Sequence, residues 1–125
     1  MLAGYMNLIE EYRRAALFME AGDPIESARI LEPVVAAEPG HCEVRLRLAL
    51  AYFASAQLGK AEEHLRELVI RDPSDHYAHH LLGRTLERQN RASEALPHLR
   101  LAEAMAAVPD YGTAVRRVAA RVANG

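Results

Sequence analysis

"YAHHLLGRTLERQNRASEAL", residues 77–96, decides the fold. Small Gly83 is followed by bulky Leu86, then by small Ala95 and by Leu99. The same spacing stands 34 residues earlier, as Ala49, Tyr52, Ala61 and Leu65. It stands again 34 residues before that, as Ala15, Phe18, Ser27 and Leu31. A further column reads Val34, Leu68 and Ala102, and Pro39 and Pro73 mark the same interval. Self-similarity at a fixed period of this length is the mark of a repeat architecture. The columns make physical sense as pairs of helices. The small residue on the first helix lets the second approach, and the leucine fills the gap beside it. A bulky side chain at Ala49 or Gly83 should then cost about 1–3 kcal/mol through overpacking.

A 34-residue helix–turn–helix unit with these columns resembles the tetratricopeptide repeat. Leu82-Gly83, Leu86 and Ala95 match the family pattern best, and Leu48, Ala49, Tyr52, Ala61 and Pro73 match it well. The first unit departs, with Arg14 in place of leucine and Ser27 in place of alanine. An edge repeat has no outer neighbour, so drift is expected there. The family's tryptophan column holds Glu11, Arg45 and His79. The resemblance covers about residues 8 to 107 and implies an all-α fold. Three antiparallel helical units would stack as a right-handed α-solenoid, closed by a capping helix.

The expected helices run about 5–21 and 24–37, 41–56 and 59–71, 75–89 and 91–107, with a cap over about 110–123. Repeats would span about 8–41, 42–75 and 76–109 of a single domain, 1–125. Asp23 can cap the second helix, with Pro24 at its first position. Ser74 or Asp75 can cap the fifth. Pro97 is expected in the first turns of its helix, where a missing N–H costs least. In the last helix Val115, Val118, Ala119 and Val122 form an amphipathic stripe, with Arg116, Arg117 and Arg121 off it.

Bulk composition agrees. Half of the 125 residues are apolar, enough for a core at this size. Net charge is −2 with the signs mixed, which argues against a nucleic-acid or membrane partner. The one cysteine, Cys42, excludes an internal disulfide and favours a reducing compartment. "MLAGYMNLIEEYRR" lacks the features of a signal peptide, and no window reaches the length of a membrane span. A cytoplasmic protein is expected, and alanine- and arginine-rich usage suggests a bacterial one.

His76, His79 and His80 raise the question of a metal. His76 and His80, at i and i+4, could grip zinc or nickel as a pair, but no Cys-x-x-Cys or His-Glu-x-x-His accompanies them. They read instead as polar residues at a helix start, one of them packed between repeats. His41, His64 and His98 look scattered. Cys42 reads as a buried or half-buried structural thiol. The serines lack a nucleophile elbow, and "GKA" at 59–61 lacks the rest of a phosphate loop. No catalytic site, metal or cofactor is expected.

Function is therefore expected in binding. The resemblance implies a concave groove lined by first helices, where peptide segments dock. Carried over by register, the groove presents Ile9, Tyr12, Arg13, Ala16 and Met19, then Glu43, Leu46, Arg47, Leu50 and Phe53. The third repeat adds Tyr77, His80, Leu81, Arg84, Glu87 and Arg88. An apolar floor flanked by arginines suits a protein or peptide partner with apolar anchors and carboxylates. The same arginines also stand at pairing distance from Glu43 and Glu87, where such pairs contribute only about 0–1 kcal/mol. The carboxylate-clamp subclass uses lysines and asparagines. The matching positions here are Tyr12, Ala16, Arg47, Tyr77 and Leu81, so heat-shock protein tails are not expected ligands. Two alternatives use the apolar first helix, with Leu2, Tyr5, Met6, Leu8 and Ile9. One is a self-associating homodimer, and the other is an accessory subunit of a larger enzyme complex.

Overall fold

The structure, a computed structural model, describes residues 2–125, with side chains from residue 7 onward. The described residues form seven helices and no strand: α1 Leu2–Glu20, α2 Pro24–Ala37, α3 Cys42–Ala54, α4 Leu58–Arg71, α5 His76–Arg88, α6 Ala92–Met105 and α7 Pro109–Asn124. Two caps follow the sequence. The Asp23 carboxylate accepts the Glu26 N–H at 3.1 Å ahead of Pro24. Asp75, rather than Ser74, caps α5 by accepting the Ala78 N–H at 3.0 Å.

Each pair is closed by one turn, repeated at the 34-residue period. The carbonyls of Phe18, Tyr52 and Leu86 accept the N–H groups of Asp23, Gln57 and Arg91 at 2.8, 2.8 and 3.0 Å. The residue just before each donor is left-handed: Gly22 at φ 80°, Ala56 at 59° and Asn90 at 62°. This is the Schellman ending, which satisfies carbonyls that the finished helix leaves open. Gly22 adopts it freely, whereas Ala56 does so at a steric cost of about 1–2 kcal/mol.

Packing divides the chain within α4, into a unit ending at His64 and a unit running from Leu65 to Gly125. In the first, α2 packs against both α1 and α3. Ala15, Leu31, Ala49, Tyr52 and Ala61 are at most 2% exposed, while Phe18 and Val34 of the outer repeat are only half-buried. In the second, α5 packs on α6 and α6 on α7. Leu65, Leu86, Ala95, Leu99 and Ala102 are fully buried. A β-carbon on Gly83 would lie 2.5 Å from Cδ2 of Leu99, so only glycine fits beside that leucine.

The tryptophan column is refilled by polar locks. Arg45, 9% exposed, donates through Nη2 to the Pro39 carbonyl at 2.8 Å and through Nη1 to Nδ1 of His64 at 2.9 Å. The His64 ring stacks on Tyr52 at 5.8 Å. Exactly one period later in sequence, His79 donates from Nε2 to the Pro73 carbonyl at 2.9 Å, and its ring stacks on His98 at 5.9 Å. His64 and His98 are therefore one column, not scattered residues. Each histidine of the second helix braces the residue that grips the preceding proline turn.

Two further expectations need correction. α6 starts at Ala92, so Pro97 is an interior residue that leaves the Ser93 carbonyl without its helical donor. Pro33 does the same within α2 to the Arg29 carbonyl. Cys42 is exposed, because it opens α3 on the side away from the core. Of the apolar edge on the first helix, Leu2, Tyr5 and Met6 lie outside the described side chains, Leu8 is half-buried and Ile9 is 46% exposed. No helix of the described residues is long and apolar enough to cross a membrane.

Candidate partner-binding site

α1 and α3 of the first unit meet at Tyr12. Its hydroxyl donates to Glu43 Oε1 at 3.1 Å and accepts from Arg47 Nε at 2.9 Å. Arg47 Nε also reaches Glu43 Oε1 at 3.3 Å, and its guanidinium lies 5.9 Å from the centre of the Tyr12 ring. The Tyr12 hydroxyl is the main cause that pushes Arg47 above its ordinary value, so the cation is secure. Both bonds use Nε, which leaves the two terminal amino groups out of them. Beside this network is a cavity of about 320 Å³ lined by Tyr12, Ala15, Ala16, Met19, Glu20, Leu31, Arg47 and Leu50. A second, of about 240 Å³, is lined by Leu8, Ile9, Tyr12, Arg13, His41, Glu43 and Val44.

Of the residues picked from the sequence, Ile9, Tyr12 and Arg13 thus line one cavity, and Tyr12, Arg47 and Leu50 the other. Leu46 and Phe53 are half-buried on α3. His41 and Val44 were missed, because they sit at the start of α3 where the family register names no contact, and Leu8 was read as part of the apolar edge instead. His41 also caps α3, accepting the Val44 N–H through Nδ1 at 3.4 Å.

In the second unit, Tyr77 is 39% exposed, Arg88 is exposed, and Arg84 is half-buried with Nε 3.9 Å from Glu87. Glu87 is gripped from α7 by Arg117, whose Nε and Nη2 donate to its carboxylate at 2.6 and 2.8 Å. Arg117 accordingly holds Glu87 below its ordinary value. His80 is not a surface residue. It is 6% exposed and stacks on Tyr111 of α7 at 4.5 Å, a partner the repeat register leaves out. His76 shares a 2.8 Å hydrogen bond with the Tyr111 hydroxyl, and His79 faces Pro73. His76 and His80 thus both meet Tyr111 while His79 holds the Pro73 turn, and no group of three ligand side chains gathers among the described residues.

Burial is the main cause that holds His64, His80 and His98 below the ordinary 6.5. Arg45 depresses His64 further, Arg84 and Arg117 depress His80, and His79 and Arg66 depress His98. Glu32 and Glu63, Asp110 and Glu87, and Glu94 oppose these effects in turn. The unfolded chain therefore takes up these protons first. Stability should be complete above about pH 6.5, fall as pH drops below it, and level off once the folded imidazoles are protonated too. Urea midpoints measured between pH 7.5 and 5 check this, in a range where carboxylates stay ionised. A midpoint that does not move, or that moves equally in a His64→Gln, His98→Gln variant, would contradict it.

A sequence model of the tetratricopeptide repeat matches residues 18–85, more than half of the chain. Among solved structures, MamA of Desulfovibrio magneticus RS-1 is 28% identical, with a TM-score of 0.73 over 78% of this chain and 55% of that one. Another MamA crystal structure is 23% identical, with a TM-score of 0.80 over 87% of this chain and 64% of that one. The chain spans 55% to 64% of the length of these MamA chains. The first repeat domain of Spaghetti (RPAP3), bound to the HSP90 peptide SRMEEVD, is 15% identical. Its TM-score is 0.87 over 94% of each chain. The second such domain of human RPAP3, in complex with the HSP70 peptide SGPTIEEVD, is 17% identical, with a TM-score of 0.84 over 92% of this chain and 97% of that one. At these identities the RPAP3 domains share the fold alone. No curated protein sequence matches the chain. With its repeated turns, its small-to-large columns and the matching sequence model, the chain belongs to the tetratricopeptide repeat family.

Proposed function

We propose that the chain is a non-catalytic protein-interaction module of the bacterial cytoplasm that holds a peptide segment or partner protein on the face shared by α1 and α3. The observation that carries this is the 320 Å³ cavity, lined mostly by apolar side chains, with Arg47 and Glu20 beside them. An apolar side chain can enter it while Arg47 takes a carboxylate through its paired amino groups. The RPAP3 domains, which share the fold, are bound to HSP90 and HSP70 peptides, which supports a peptide as the partner. Ile9, Arg13, Leu46 and Phe53 belong to the same proposed surface. In the second unit, taken by itself, Tyr77, Arg84 and Arg88 are the corresponding candidates, with His80 buried.

Panning a displayed random-peptide library on the purified chain tests the reading. Ala16 is exposed, so Ala16→Trp fills the cavity without entering the core. Peptides enriched on the wild type should bind Ala16→Trp about tenfold more weakly, as loss of a central anchor implies. An absence of enrichment, or equal binding to both proteins, would overturn it. One observation favours a second reading, self-association or docking into a larger enzyme complex. Leu17 and Ile25 are 64% and 65% exposed on the first unit. Light scattering at several concentrations, with a Leu17→Ser, Ile25→Ser variant beside the wild type, distinguishes it.

A further inference from the structure

Arg45 is a buried cation held only by neutral groups. Its two hydrogen bonds go to the Pro39 carbonyl and to Nδ1 of His64. Its Nε is buried with no partner. Three of the five N–H groups of the guanidinium therefore stay unused. Buried charges are ordinarily paired, yet among the described residues no carboxylate pairs with this one. A cavity of about 500 Å³ opens beside it, between α2, α3 and α4. Pro33, Val35, Ala36, Pro39 and Leu48 form its apolar walls, and Glu32, Arg45 and His64 supply the polar groups. The cavity shares no residue with the partner face described above. We propose that it binds a small aliphatic carboxylic acid, with the carboxylate on Arg45 and the hydrocarbon chain against the apolar walls.

Size favours a whole small molecule, because sites that hold one run from about 300 to 1,000 Å³. The guanidinium selects the head group, since its planar fork matches the two oxygens of a carboxylate. His64 adds a second donor. Arginine can only donate, so Nδ1 of His64 accepts and its proton sits on Nε2. That N–H has no hydrogen-bond partner among the described residues, and His64 lines the cavity. Charge limits the ligand to one negative group. Glu32 stands at the cavity, and Glu63 is close enough to act on the His64 ring, so a second negative charge is repelled. The walls select the body, because they offer contact to hydrocarbon and few polar groups to hydroxyls.

The test titrates hexanoate into the isotope-labelled full chain near neutral pH, read by NMR. The Arg45 Nε–H resonance should shift and saturate. Hexanamide keeps the chain and loses the charge, and should bind about tenfold more weakly, as loss of a hydrogen bond between charged groups implies. Hexyl phosphate, close to a dianion at that pH, should also bind more weakly than hexanoate. Glu32→Gln should tighten hexanoate about twofold by removing a like charge at the surface. Ala36 is exposed, so Ala36→Trp fills the cavity from outside the core and should weaken hexanoate about tenfold. Circular dichroism confirms that both variants fold. An unmoved Arg45 resonance, equal binding of hexanoate and hexanamide, or indifference to Ala36→Trp would each overturn the proposal. Tighter binding of acetyl-Ala-Ala-Leu would overturn it in favour of the end of a peptide chain, and tighter binding of hexyl phosphate in favour of a phosphate.

Discussion

Gly83→Val is expected to destabilise the second unit by about 2–3 kcal/mol, near the top of the usual range for overpacking. The cause is local and specific. Even one added carbon would stand 2.5 Å from Cδ2 and 2.6 Å from Cγ of Leu99, with the Ala95 carbonyl at 3.3 Å. Leu99 is itself fully buried. Leaving glycine for a better helix former returns at most about 1 kcal/mol, so the clash decides the sign. Leu99→Ala alone should cost about 2–5 kcal/mol by opening a cavity. The double variant should cost clearly less than the sum, since valine then occupies the space the leucine left. Urea unfolding of the four proteins measures all of this. Strict additivity would mean the two residues do not meet.

Tyr111→Ala should release α7, with a loss of about 3–5 kcal/mol typical of a truncated buried aromatic. Tyr111 is 3% exposed, stacked on His80 and hydrogen-bonded to His76. Ala114 and Val118 are the other buried residues of the helix and are much smaller. The Arg117–Glu87 pair cannot hold α7 alone, because Arg117 is 43% exposed and such pairs contribute about 0–1 kcal/mol. Tyr111→Phe should lose only the hydroxyl, about 0.5–1.5 kcal/mol. Amide exchange reads the outcome. In Tyr111→Ala the α7 amides should exchange much faster while α6 keeps its protection at Leu99. Protected α7 amides in that variant would show that the helix is anchored elsewhere.

What the sequence disclosed follows from what kinds of contact demand particular residue types. Close helix packing demands small beside large, so Ala15, Ala49 and Gly83 with Leu31, Leu65 and Leu99 reveal the period and the fold. A left-handed turn demands only a backbone angle, and Gly22, Ala56 and Asn90 share no side-chain chemistry that would have marked it. The polar locks were hidden for a similar reason. Arg45 and His79 do the same work with different groups, and only their common proline carbonyls show it. At the candidate site, Tyr12, Arg47 and Leu50 follow from register alone. His80 was placed wrongly on the surface because its cover, Tyr111, comes from a helix outside the repeats.

The polar locks bear on how such a chain can grow. Pro39, Arg45 and His64 fall within one period of sequence, and so do Pro73, His79 and His98. A genetic duplication of any 34-residue tract that begins just before the proline would copy the whole fastening, donor, acceptor and brace together. Arginine and histidine versions coexist, so the copies are free to diverge after the event. Lengthening this protein by a repeat would need no new joint to evolve.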